Sequence, residues 1–191
     1  INENLYKHFE RETISKVNRF EISKKDLNEL KKSFQNKILL VSGAAGSIGS
    51  QFSKDIFKYN FKVKKIIFLD KDENMLTELN RELLLLKNFR KANKDFICSD
   101  LNSIDISDIL LKYKVQFYLN FAAIKHVRSE ENIQSIKYMF KTNTINFIPR
   151  KITNLKKFFS ISTDKTVNPS SILGISKHLM EMNLNKHKNK N

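Results

Sequence analysis

The chain has 191 residues and a mass of 22.4 kDa, room for one domain and a short appendage. Its 40% hydrophobic and 29% charged residues exclude wholesale disorder, no apolar run nears the ~18 residues of a crossing helix, and a single cysteine, Cys98, excludes an internal disulfide. The net charge of +15 rests on 29 lysines against 6 arginines, spread along the chain among 21 asparagines. That is a compositional bias without the arginine clusters that read bases, so no specific nucleic acid is expected.

The chain opens at Ile1 without a signal-peptide pattern, which reads as a processed or excised piece of a cytoplasmic protein. A longer parent could still be membrane-associated. Residues 1–36 are polar and helix-permissive, with Leu27 and Leu30 as a small apolar face, and read as a helical lead-in. Then short apolar runs begin to alternate with helical periodicity. Buried strands are expected at 37–42 (KILLVS) and 65–70 (KIIFLD), and further strands at 95–98 (DFIC), 115–121 (VQFYLNF) and 157–161 (KFFSI). Between them, Ile48-Phe52-Ile56-Tyr59, Met75-Leu79-Leu83-Leu86 and Ile106-Ile109-Leu110-Tyr113 recur at helical spacing. A further helix spans about 130–140, and a last one begins near Ser171 with Ile175, Leu179 and Met182 on its apolar face. Strand-helix alternation with uniformly apolar strands predicts an α/β fold, a Rossmann-like doubly wound parallel sheet over 37–184, with a frayed Asn/Lys tail at 185–191.

Only four glycines occur, and three fall within seven residues: Gly43-Ala-Ala45-Gly46-Ser47-Ile48-Gly49, between the first strand and its helix. Gly43 permits the turn out of the strand. Gly46 lets a pyrophosphate approach the backbone, and Gly49 lets the helix pack on the sheet. Asp70 closes the second strand 21 residues after Gly49, where a carboxylate accepts from adenosine ribose hydroxyls. The cofactor expected is NAD or NADP, with NAD favoured because Asp70 repels a 2′-phosphate, although Lys71 offsets that repulsion. Asp100 and Leu101, after the third strand, stand where adenine would lie, and Asp100 reads equally well as a helix N-cap. Ala122 and Ala123, after the fourth strand, leave room for a ribose.

The loop after the fifth strand carries Ser162-Thr163-Asp164-Lys165-Thr-Val-Asn168-Pro169, followed by Gly174-Ile-Ser176-Lys177. With G-A-A-G-S-I-G-S, F-L-D and A-A-x-K-H-V, these motifs resemble the extended short-chain dehydrogenase/reductase superfamily over roughly residues 37–182. Within it the match is to the polysaccharide-biosynthesis branch of UDP-N-acetylglucosamine 4,6-dehydratases. The resemblance implies hydride removal from sugar C4, loss of water across C5 and C6, and hydride return to C6. It implies a UDP-sugar substrate and a homo-oligomer. Lys165, stripped of its proton by burial and by Lys177, would act as base at C5, and Asp164 as acid at C6. Thr163 would bond the C4 hydroxyl or a water there, and Lys177 would hold the nicotinamide ribose. Lys125, His126 and Asn168 fall at substrate-contact positions, and Asn143 at one that braces Lys177 through a water. No metal site is expected: His8, His178 and His187 lack ligand partners at useful spacing.

Two features depart from the family pattern. Leu173 stands where most short-chain dehydrogenases place a tyrosine, four residues before the helix lysine; long membrane-anchored members carry methionine there. The stretch between Asn143 and Phe158 is also about one turn shorter and contains Pro149, which ends a helix. As read, the chain holds most of a cofactor half and little of a substrate-binding lobe. Two other readings remain open at this stage, a nucleotide-sugar epimerase on the same scaffold and a non-catalytic NAD(P)-binding protein.

Overall fold

The structure, a computed structural model, describes residues 21–126, 130–149 and 154–188. The arm expected over 1–20, His8, Val127 of the A-A-x-K-H-V motif, the His187 side chain and the last residues of the tail lie outside what is described. The chain divides into two units, 1–33 and 34–191. In the first, helix α1 (Lys24–Phe34, whose last residue falls in the second unit) is started by Ser23, whose hydroxyl accepts from the Asp26 N–H at 3.1 Å.

The second unit is a five-stranded parallel sheet: β1 (Ile38–Ser42), β2 (Lys65–Asp70), β3 (Lys94–Cys98), β4 (Phe117–Asn120) and β5 (Lys157–Ser160), in the order β3-β2-β1-β4-β5. Each strand falls within one residue or two of its apolar run. The helices are α2 (Ser47–Lys58), α3 (Glu73–Leu84), α4 (Ile106–Tyr113), α5 (Ile133–Phe140) and α6 (Ile172–Lys188). The chain steps outward from β1 to β2 and β3 on one side and to β4 and β5 on the other, which puts the order reversal between β1 and β4, so a crevice opens beyond the carboxyl ends of those two strands.

The two faces of the sheet bury different chemistry. On one, Leu40, Ile67, Tyr118, Leu110, Phe147 and Met180 form a cluster in which each large side chain contributes roughly 1.5–3 kcal/mol. On the other, phenylalanines dominate: Phe34 meets Phe61 and Phe117, and Phe68 stacks on Phe96 at 4.8 Å. Among the described residues β5 pairs only with β4, and its Phe159 is 50% exposed.

One local expectation is corrected. Ile175, Leu179 and Met182 do not form the packed face of the last helix; they are exposed, and Leu173, Ser176, Lys177 and Met180 are buried instead. The helix expected over about 130–140 is found at Ile133–Phe140. It passes at Lys141 into a π-helical turn, Lys141–Ile145, and the chain leaves helical geometry before the buried Pro149. The wider turn buries Thr142, Asn143 and Thr144 together.

Candidate functional site

A cleft of about 700 Å³ lies beyond the carboxyl ends of the strands, and the glycine loop forms one wall. Gly43 has φ +67°, and a β-carbon on it would stand 2.4 Å from the Ala122 nitrogen; one on Gly49 would stand 2.1 Å from the Gly43 carbonyl oxygen. Both are backbone clashes that cannot relax, so the turn and the seating of α2 require glycine at each. Gly46 differs: an added β-carbon meets nothing closer than 3.4 Å, so the protein itself does not demand glycine there. The space it leaves belongs to the cleft. No side chain caps α2, whereas Asp72, Asp105 and Asn132 cap α3, α4 and α5. An uncapped helix start beside an open glycine is the donor set a diphosphate needs, and these residues fit it.

At the β2–β3 end, Asp70 is held by the loop. Its carboxylate accepts from the Ala45 N–H at 2.9 Å and from the Asp72 N–H at 3.2 Å. The side chain expected to bind ribose therefore also pins the glycine loop. Asp100 accepts from the Asn102 N–H at 2.8 Å and from the Tyr138 hydroxyl at 2.6 Å. Burial opposes its ionisation, but those bonds and the Lys71 ammonium outweigh it and hold the carboxyl below the usual range. Asp100 is not the helix cap of the alternative reading; Asp105 caps α4. Lys71 sits 5.0 Å over the Tyr138 ring, and Leu101 is buried in the wall.

At the β4–β5 end, Ala122 and Ala123 line the cleft, and the Ala122 N–H donates to the Asn120 side chain at 3.2 Å. That asparagine belongs to a buried polar chain linking three strands: the Ser42 hydroxyl donates to Asn120 at 2.6 Å, and the Asn120 amide donates to the Ser160 hydroxyl at 3.1 Å. Burial pushes the adjoining Tyr118 phenol well above its ordinary value, against its bond with Ser42, so it stays neutral. Asn143 exchanges two hydrogen bonds with the Ile124 backbone and donates to the Ser176 hydroxyl at 3.1 Å, bracing α6 one residue before Lys177.

Lys177 is 5% exposed, and its ammonium donates to the Ile161 carbonyl at 2.9 Å and to the Met180 sulfur at 3.5 Å. Burial pushes it down from 10.5 to about 8, with Glu181 acting in the opposite direction. Near neutral pH a minor fraction is therefore uncharged.

The structure brings most of the expected residues to one place. Gly43, Ala45, Gly46, Ser47, Ile48, Gly49, Asp70, Asp100, Leu101, Ala122, Ala123, Lys125, His126, Thr163, Lys165 and Lys177 all line the cleft. Asp164 and Asn168 are exposed and stand outside the lining. Lys165 is exposed as well, so the burial expected to strip its proton is absent; Lys177 carries that burial instead. Thr163 caps the short turn Asp164–Thr166 and donates to the Asp164 carboxylate at 3.0 Å. Leu173, buried, lines the cleft where a tyrosine was the expected type. Tyr138, Thr142 and Met75 were missed as lining residues. In sequence Met75 read only as a member of the apolar helical stripe, and it is the structure that leaves it half exposed at the cleft.

Sheet order, glycine loop and cleft together define a Rossmann domain of the extended short-chain dehydrogenase/reductase type. The chain belongs to the polysaccharide biosynthesis protein family, whose pattern matches residues 39–191. It is 31% identical over 166 residues to the capsular polysaccharide biosynthesis protein CapD of Staphylococcus aureus, covering 82% of this chain and 26% of CapD. It is 28% identical over 148 residues to an inverting UDP-N-acetylglucosamine 4,6-dehydratase of Campylobacter jejuni, covering 75% of this chain and 41% of that enzyme. A solved UDP-glucuronic acid 4-epimerase from Bacillus cereus, in complex with UDP-glucuronic acid and NAD, matches the fold with a TM-score of 0.63 at 24% identity, over 80% of this chain and 52% of that one. The chain thus spans about half or less of each. No described helix is long and apolar enough to cross a membrane.

Proposed function

We propose that this chain is the cofactor-binding portion of a nucleotide-sugar-modifying enzyme of polysaccharide biosynthesis, and that its chemistry is the 4,6-dehydration of a UDP-N-acetylhexosamine. The carrying observation is the cleft itself, which has an uncapped helix start and an open Gly46 at one end and a buried lysine at the other. The N–H groups at the start of α2 would bind the diphosphate of NAD or NADP, Asp70 a ribose, and Asp100 with Leu101 the adenine. When bound, the nicotinamide would take a hydride from sugar C4 and give it back at C6.

The remaining work falls to side chains. Ala122 and Ala123 leave space for the second ribose, and Lys177 donates to its hydroxyls and faces the charge that develops at the C4 oxygen. Thr163 holds the C4 hydroxyl or the water that takes its proton, a task Leu173 cannot perform. Lys165 removes the C5 proton, and Asp164 protonates the departing C6 hydroxyl, so that one water leaves across the C5–C6 bond. Lys125 and His126, exposed at the rim, stand ready for an anionic substrate, with Asn168 beyond the lining.

The exposure of Asp164 and Lys165 favours a second reading, 4-epimerisation, which needs neither an acid at C6 nor a base at C5. Proton NMR of the product from UDP-N-acetylglucosamine with NAD or NADP separates them. A 4-keto-6-deoxy sugar supports dehydration, and a sugar inverted at C4 with its C6 hydroxyl retained overturns it. NADH titration by fluorescence tests the cofactor portion alone, and no binding by the folded chain would overturn both readings.

A further inference from the structure

The start of α6 is closed by a residue that neither family motif nor helix contributes. Ser171 supplies the local cap, accepting from the Gly174 N–H at 3.1 Å. The two donors before it, the Ile172 and Leu173 N–H groups, go to the Glu130 carboxylate at 3.4 and 3.1 Å. Glu130 precedes them by 42 and 43 residues and follows the segment that carries Ala122, Ala123, Lys125 and His126 along the cleft. One carboxylate, distant in sequence, therefore closes the first turn of the helix holding Leu173 and Lys177. Its charge also meets the positive end of the helix.

We infer that Glu130 is a positioning residue for the cleft: it fixes α6 at its first turn so that Lys177 stays buried against the Ile161 carbonyl. A second consequence concerns what the site accepts. With both leading N–H groups of α6 taken by Glu130, this helix start offers no cradle to a substrate phosphate. The substrate's diphosphate must find its partners elsewhere, at side chains such as Lys125 and His126. The inference rests on the proposed function only for the identity of the ligand; the tie itself is a matter of this chain alone.

The experiment follows Lys177 directly. Amine labelling across pH, with mass spectrometry of the Lys177 peptide, gives its titration in the absence of any cofactor. Glu181 is the charged group acting on that ammonium and is left in place. In Glu130→Ala, loosening of the first turn should raise the Lys177 midpoint from about 8 by about one pH unit towards an ordinary lysine, and should weaken NADH binding about fivefold. Glu130→Gln, which keeps one acceptor oxygen but no charge, should fall between Ala and wild type. A Lys177 midpoint unchanged in a folded Glu130→Ala overturns the inference. If that variant does not fold, an unchanged midpoint in Glu130→Gln does so, and a raised one supports it. Failure of wild type to bind NADH would count against the proposed cofactor and leave the Lys177 measurement standing.

Discussion

The glycine loop between β1 and α2 is held by close backbone approaches, Gly43 against Ala122 and Gly49 against Gly43, and by one side chain, the Asp70 carboxylate on the Ala45 N–H. Across the cleft, the segment from Thr163 to Lys177 is held by side chains, through the Thr163–Asp164 bond, the Lys177 ammonium on Ile161 and Glu130 on the start of α6. A methyl at Gly43 or Gly49 meets backbone in the first wall, and one at Gly174 meets the Lys165 carbonyl oxygen in the second, so the backbone of both is set by glycine. The second wall adds side-chain ties that can be cut singly while its backbone stays.

The sharpest break is Gly49→Ala. Its β-carbon would need the space of a backbone carbonyl, so α2 must shift, with an expected loss of about 3 kcal/mol or more in denaturant unfolding and with it NADH binding. Lys177→Met should do the reverse, leaving unfolding cooperative and stability close to wild type while lowering turnover about a hundredfold or more. Gly46→Ala separates the two walls most cleanly. With open space around the added methyl, melting should stay within a few degrees, yet NADH affinity should fall roughly ten- to a hundredfold because the methyl occupies the diphosphate's cradle. Asp70→Asn keeps an acceptor for Ala45 but removes the charge, and should cost about fivefold in NADH affinity.

Lys177 also makes stability depend on pH. Lys177 titrates near 8 when folded and near 10.5 when unfolded, so the unfolded state binds more protons between those values. Its burial penalty is full below about 8 and is released as pH rises towards 10.5. Stability of wild type relative to Lys177→Met should therefore climb over that window. A flat difference would place the lysine in water.

Much of this was legible from residue order. Strands buried on both faces leave uninterrupted apolar runs, so β1 and β2 could be placed from KILLVS and KIIFLD, and a glycine-poor chain announces where glycine is indispensable. What order along the chain does not give is direction. Asp164 and Lys165 adjoin Thr163 in sequence, but the short turn they occupy points them towards solvent, while Lys177, on a helix whose apolar stripe was misassigned, is the buried member. Glu130 and Tyr138 act on partners tens of residues away, Leu173 and Asp100, and such pairings arise only when β4, β3 and α6 have been brought together. The π-helical turn was hidden for a similar reason: Thr142, Asn143, Thr144 and Ile145 are weak helix formers but do not specify a wider turn, and the widening buries three polar side chains at once.

Strand β5 has consequences for handling the protein. Its outer row of amide and carbonyl groups has no sheet partner among the described residues, and the Phe159 ring beside it is half in water. A bare border of this kind recruits strands from other molecules. The chain's net charge of +15 supplies mutual repulsion between copies, and it fades as salt screens it. The purified chain should therefore stay dispersed in dilute buffer of low ionic strength and clump as salt and concentration rise.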